Sequence, residues 1–216
     1  LSDLDLDYGA MAAYLGLNPE AGVADLLNTR GTIDRELVRS TAVAHLDDLH
    51  VLTSPASLDR GGAGVERFDK LESLLGVCRE AYAHTVIDAP RAGRDVAARL
   101  VAASDLTLIV FQLSVIDVRS TRALLRAMAD RGASAERILP VANRWVKRSR
   151  MLSLDDAREA LGGVEVAQIG NDFENVMRSI NYGQPLSKVA PRSPVRADLG
   201  RLAERAAALT QGRRDR

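Results

Sequence analysis

His84-Thr85-Val86-Ile87-Asp88-Ala89-Pro90 reads as a short buried strand that ends in an aspartate and is closed off by a proline. Thr, Val and Ile suit a pleated, packed surface, and proline cannot continue a ladder of backbone hydrogen bonds. In open α/β sheets ligands bind at the carboxyl ends of the strands. A carboxylate placed there, such as Asp88, can hold Mg²⁺ directly or through water. It can equally cap the loop or helix that follows. A nucleotide site would also need a phosphate loop, Gly-x-x-x-x-Gly-Lys-Ser/Thr, whose backbone N–H groups wrap the phosphates while the lysine reaches the terminal ones. The three lysines, Lys70, Lys147 and Lys188, follow Asp69, Val146 and Ser187, so none follows a glycine. These 216 residues therefore carry one half of a nucleotide site.

Outward from this strand, apolar runs at 49–52, 106–111, 138–142 and 164–169 have the same character. They read as continuous apolar segments, as parallel strands covered on both faces do. Longer helical patterns alternate with them. Residues 65–82 place Phe68, Leu71, Leu74, Leu75 and Cys78 on one face, and 115–131 do so with Val118, Leu124, Leu125 and Met128. A last helix is expected from Pro194 to about Leu209, with Leu199, Leu202, Ala206 and Leu209 as its stripe. Alternation of this kind predicts an α/β fold, a mainly parallel doubly wound sheet with helices on both faces. One domain over residues 1–210 is expected, followed by a polar, basic, frayed tail at 211–216.

Composition narrows the function classes. Lys plus Arg equals Asp plus Glu at 29 each, so the broad positive field of sequence-independent DNA binding is missing. Cys78 is the only cysteine, which excludes an internal disulfide and suggests a small buried side chain in a reducing compartment. No run of about 18 apolar residues occurs, and the first residues are acidic where a signal peptide is basic. A soluble, cytoplasmic protein is expected. His45, His50 and His84 lack metal-ligand spacing.

Two further groups point to the strand ends. Asp3, Asp5 and Asp7 alternate with Leu4 and Leu6, so if residues 1–5 end a strand the three carboxylates leave on one face. Their mutual repulsion calls for a cation or hydrogen-bond donors; a solvated terminus is the plainer account. Asn143 follows the apolar run at 138–142 and carries an amide donor and acceptor suited to an adenine edge, although asparagine is also a turn former.

Taken together, these residues resemble a known family. Asp3-Leu4-Asp5-Leu6-Asp7-Tyr8-Gly9, Ala12-Ala13-Tyr14-Leu15-Gly16-Leu17 and Gly22-Val23-Ala24-Asp25-Leu26-Leu27 look like the TadZ/CpaE branch of the MinD/ParA-type, deviant Walker A ATPases. The likeness runs on through Leu49-His50-Val51-Leu52-Thr53-Ser54-Pro55, residues 84–90 and Asn143-Arg144-Trp145. It closes with Ile169-Gly170-Asn171-Asp172-Phe173 and Ile180-Asn181-Tyr182-Gly183-Gln184-Pro185-Leu186, the most branch-specific stretch. The resemblance implies a P-loop NTPase fold that binds ATP and Mg²⁺, dimerises, and places or assembles Flp/Tad-type pili, often at a cell pole. By it, Asp3 serves the Mg²⁺ environment, Asp5 positions the attacking water, Asp88 is the Walker B aspartate holding Mg²⁺ mainly through water, and Asn143 with Arg144 contacts the base. Asp7 stands where relatives more often have Gln or Pro.

Relatives place a strand, a Lys-Gly-Gly-x-Gly-Lys-Ser/Thr loop and a helix before the strand that ends at Asp3. On this account the 216 residues lack the first strand and phosphate loop and are a portion of a longer chain, from which little or no ATP hydrolysis is expected. The rival accounts are a non-hydrolysing scaffold that recruits pilus or polar proteins, and a ParA-like DNA-partitioning ATPase, which the neutral charge opposes. A phosphoreceiver with Asp88 as acceptor is disfavoured by the separation of Asp5 from Asp88.

Three other segments have plainer explanations. Arg60-Gly61-Gly62-Ala63-Gly64 lacks the lysine of a phosphate loop and reads as an ordinary loop. Arg144-Trp145-Val146-Lys147-Arg148-Ser149-Arg150 can touch a base, an acidic partner or anionic lipid, or simply be solvated. Arg192, Arg196, Arg201 and Arg205 accompany a short, alanine-rich stripe, which favours packing on the domain over membrane contact.

Overall fold

The structure is a computed structural model that describes residues 1–214 apart from 7, 47, 55–67, 91 and 148–151. Asp7, the glycine-rich segment 60–64, the expected helix start at 65–67 and Arg148–Arg150 of the basic segment lie outside the described residues. In chain order the elements are β1 (Ser2–Asp3), α1 (Met11–Tyr14), α2 (Val23–Asn28), α3 (Arg35–Thr41), β2 (Val43–His45), β3 (Leu49–Val51), α4 (Leu71–Ala81), β4 (Ile87–Asp88) and α5 (Arg94–Ala103). There follow β5 (Thr107–Gln112), α6 (Val115–Ala129), β6 (Ile138–Trp145), α7 (Leu154–Ala160), β7 (Ala167–Gly170), α8 (Phe173–Asn181), α9 (Leu186–Val189) and α10 (Pro194–Arg214). They fall into two compact units, Leu1–Arg99 with Ser179–Pro185, and Leu100–Arg178 with Leu186–Arg216.

In the first unit β1 lies parallel to β4, with Ser2 opposite Ile87 and Asp3 opposite Asp88. On its other side Ser2 bridges Leu52 in parallel, with Asp3 N donating to Leu52 O at 2.9 Å and Leu52 N to Leu1 O at 2.8 Å. β2 and β3 form an antiparallel hairpin, an exception to the mainly parallel expectation. The helices α2, α3 and α4 pack on one another. Asp34 caps α3 by accepting Leu37 N at 2.8 Å, and Leu71, Leu74 and Cys78 of α4 are buried at the i, i+3, i+7 spacing that shares a face. Burial pushes the Cys78 thiol pKa up, which suits the inert side chain expected of it.

In the second unit β5, β6 and β7 form a parallel sheet in that order. Phe111 and Ala142 pack with Val118 of α6, Ala157 of α7 and Leu161 just after it on one face. Leu139, Val141 and Ile169 pack with Val176, Leu186, and Val195 and Leu202 of α10 on the other. Ser114 caps α6, accepting Asp117 N at 3.0 Å, and Ser153 caps α7 in a reciprocal box with Asp156. These layers give the expected α/β class its substance.

Several details differ from the sequence reading. The strand expected at 84–88 is reduced to β4, because its described partner β1 has only two residues. Nor is it buried: Val86 and Asp88 are exposed. In β5, Leu108, Val110 and Gln112 are exposed while Ile109 and Phe111 are buried, so one face is open where both were expected to be covered. Among the described residues β5 pairs only with β6. Leu124 is exposed, since the inward stripe of α6 runs through the buried Val118 and Thr121 and the half-buried Leu125, and Leu124 lies about 100° off it. Leu199 and Leu209 are likewise exposed; α10 packs instead through Val195 and Leu202, with the half-buried Asp198 between them. The helix runs on to Arg214, five residues beyond the end expected at about Leu209.

Candidate functional site

Asp3 and Asp88 stand side by side at the carboxyl ends of two parallel strands, which is where this class of sheet binds ligands. Leu4 N donates to Asp88 O at 2.8 Å, locking that register. The strand stops at Asp3, so alternation does not govern Asp5 as expected. The chain turns back over Asp3. Asp3 Oδ1 accepts Asp5 N at 3.0 Å and Asp3 Oδ2 accepts Met11 N at 3.3 Å. Asp5 Oδ1 in turn accepts Tyr8 N at 3.3 Å.

Asp3 and Asp5 are buried, at 1% and 6% exposure, which removes the account of a solvated terminus. Burial, the largest influence, raises the Asp3 pKa above the ordinary carboxylate value. The two backbone amides act the other way, and the nearby Asp88 and Asp5 charges add to the rise. Asp88 differs in being exposed.

The sequence reading missed what closes this turn. Gly9 packs so tightly that a Cβ built on it would lie 2.5 Å from Ser54 O, 2.6 Å from Ser54 Cβ and 3.0 Å from Asp3 Oδ2. Ser54 thus flanks the Asp3 carboxylate. Thr53 and Ser54 are both buried, and their hydroxyl oxygens have no hydrogen-bond partner among the described residues. Two polar residues directly after an apolar run, at a strand's carboxyl end, were the signal available for them.

The donor chemistry fits Mg²⁺. Carboxylate and hydroxyl oxygens are hard ligands, and Mg²⁺ is usually held by one or two carboxylates together with water and phosphate oxygens. Among the described residues no group of three or more His, Cys, Asp or Glu forms an all-protein cage.

Asn143 and Arg144 belong to the second unit. Gln112, the last residue of β5, is opposite Asn143, and β6 runs on to Trp145, so Asn143 lies within the strand and not after it as expected. β6 pairs Ala142 with Gln168 and Trp145 with Gly170, so it holds one residue more than β7 between those pairs. That is a β-bulge. Arg144 takes the left-handed conformation there, with φ of 55°, an uncommon state for an arginine. Asn143 Oδ1 accepts Arg144 N at 2.9 Å and steadies it, while the Arg144 side chain is exposed. No residue type in Asn143-Arg144-Trp145 announces the bulge.

This arrangement of α/β layers recurs in solved structures. A ParA family ATPase from Chlorobium tepidum TLS superposes with a TM-score of 0.79 at 22% identity, over 90% of this chain and 80% of that one. The fold is that of the MinD and ParA ATPases. The septum site-determining protein MinD of Pyrococcus horikoshii OT3, complexed with Mg-ADP, gives 0.77 at 18% identity over 97% and 83% of the two chains. Apo McdA from Cyanothece gives 0.65 at 20% identity over 93% and 85%. At these identities the likeness is one of fold. No protein-family model and no curated protein sequence matches the chain.

Proposed function

We propose that this chain is the ATPase-fold part of a nucleotide-dependent positioning factor, of the TadZ/CpaE kind that places or assembles Flp/Tad-type pili. The observation that carries it is the register of Asp3 against Asp88 at the ends of adjacent parallel strands. Residues 169–173 and 180–186 support the finer assignment by their resemblance to that branch. On this reading residues 1–210 act as one domain that pairs with a second copy and recruits pilus or polar proteins at the inner face of the membrane.

Mg²⁺, bound with ATP, would neutralise charge on the phosphate oxygens. Asp88 is the residue to hold it, directly or through water. Asp3 reaches it less directly, because each of its oxygens already accepts a backbone N–H; its work is to hold the Asp5 and Met11 amides at the strand end. On the same reading Asp5 orients a water, and Asn143 and Arg144 meet the base.

The engagement of Asp3 also favours a second reading, a scaffold of the same fold that binds partners without turning over ATP. Titration of the full natural chain with fluorescent ATP, with and without Mg²⁺, separates the two. Mg²⁺-dependent binding that Asp88→Asn weakens about tenfold or more supports the nucleotide switch. Absence of any Mg²⁺-dependent binding would leave the scaffold.

A further inference from the structure

The outer face of α6 has a composition that the nucleotide reading does not use. Arg119, Arg122 and Arg126 are exposed and follow one another at i, i+3 and i+7, so they form one ridge about 10 Å long. Elsewhere arginines find carboxylates: Arg35 with Glu80, Arg99 with Glu72, Arg158 with Asp155, Arg205 with Glu165. Among the described residues no carboxylate pairs with any of these three. At the head of the ridge Val115 and Ile116 are 61% and 76% exposed, two β-branched side chains given to water. The helix beneath is held rigidly by the Ser114–Asp117 cap and by Val118 and Leu125 in the core.

We propose that this face docks an acidic amphipathic helix of a partner protein. Carboxylates on successive turns of such a helix match the arginine spacing, because positions i, i+3 or i+4, and i+7 share a face. Its apolar residues cover Val115 and Ile116, and the three arginines are of a residue type that often carries interface energy. A polyphosphate backbone would satisfy the arginines but leave the two apolar side chains against charge. A membrane would need a broader apolar face than two residues at one end. The ridge starts just after β5, whose last residue is opposite Asn143, so the partner would sit beside that strand end. The proposal does not depend on nucleotide binding.

The test is fluorescence anisotropy of the full chain with a labelled helical peptide of about 20 residues, carrying Glu at that spacing beside two leucines. Its Glu→Lys counterpart, duplex DNA and phosphatidylserine vesicles are the comparison probes. The acidic peptide should bind saturably, and affinity should drop about tenfold or more in the Arg119→Glu, Arg122→Glu, Arg126→Glu triple variant and in Ile116→Asp. The lysine peptide should bind the triple variant instead. All four side chains are exposed, so unchanged melting is expected and serves as the folding check. No saturable binding of the acidic peptide, equal binding by the variants, or arginine-dependent binding of only DNA or vesicles overturns the proposal.

Discussion

Replacing Gly9 by alanine tests how the turn over Asp3 is built. The added methyl would start 2.5 Å from Ser54 O and 2.6 Å from Ser54 Cβ. Both atoms belong to a residue that is only 1% exposed, so neither can swing into solvent. Relief to ordinary contact distances requires a shift of roughly 1 Å in the turn or in Ser54. That shift also pulls on the Met11 N–H to Asp3 Oδ2 bond, already long at 3.3 Å. Overpacking of this kind costs about 1–3 kcal/mol. Taking about 2 kcal/mol, the melting temperature of a protein this size falls by about 4–8 °C. Thermal denaturation followed by circular dichroism measures it, and hydrogen exchange at Met11 and Tyr8 shows where the change lies, since both amides should exchange faster in Gly9→Ala. A variant that melts within about 1 °C of the parent, with those amides equally protected, would refute the reasoning.

Gly183 allows a comparison of steric and backbone costs. It has φ of 58° and a built Cβ would be 2.9 Å from Gly16 N and Cα, whereas Gly132 has φ of 82° and open space around it. Gly132→Ala should cost about 1–2 kcal/mol from the left-handed backbone alone, and Gly183→Ala clearly more; equal losses in urea denaturation would contradict the close approach. Leu125→Ala should cost about 2–3 kcal/mol by opening a cavity, against less than about 0.5 kcal/mol for the exposed Leu124→Ala, again read from urea midpoints. The Asp172 carboxyl pKa is held below the usual range first by the Ser193 hydroxyl, at 2.6 Å, and then by Asn175. Its contribution to stability is therefore complete above the ordinary Asp pKa and fades as pH falls through the lowered value. Ser193→Ala should raise the Asp172 midpoint in a carboxyl NMR titration; an unchanged midpoint would show that the bond does not act in solution.

Much of this protein is legible in its residue order. Apolar runs at 106–111 and 138–142 lie within a residue of the amino ends of β5 and β6, and α6 begins at its expected residue, because β-branched runs, helical periodicity and Ser caps are local properties. Asp88 is legible for the same reason, as the polar residue that ends an apolar segment. Beyond that the local signal fails. Leu124 and Leu125 are the same residue type, and only the layer under α6 decides which one packs against the core.

The candidate site shows the division most clearly. The sequence alone supplies acidic residues at two strand ends and a neutral overall charge. It cannot supply the pairing of Asp3 with Asp88, because that depends on register between segments about 85 residues apart in a parallel crossover. Nor can it reveal that the Asp3 carboxylate is spent on the Asp5 and Met11 amides, that Gly9 is pressed against Ser54, or that Arg144 sits left-handed in a bulge. Those are consequences of backbone brought together from distant parts of the chain, and only tertiary contact decides them.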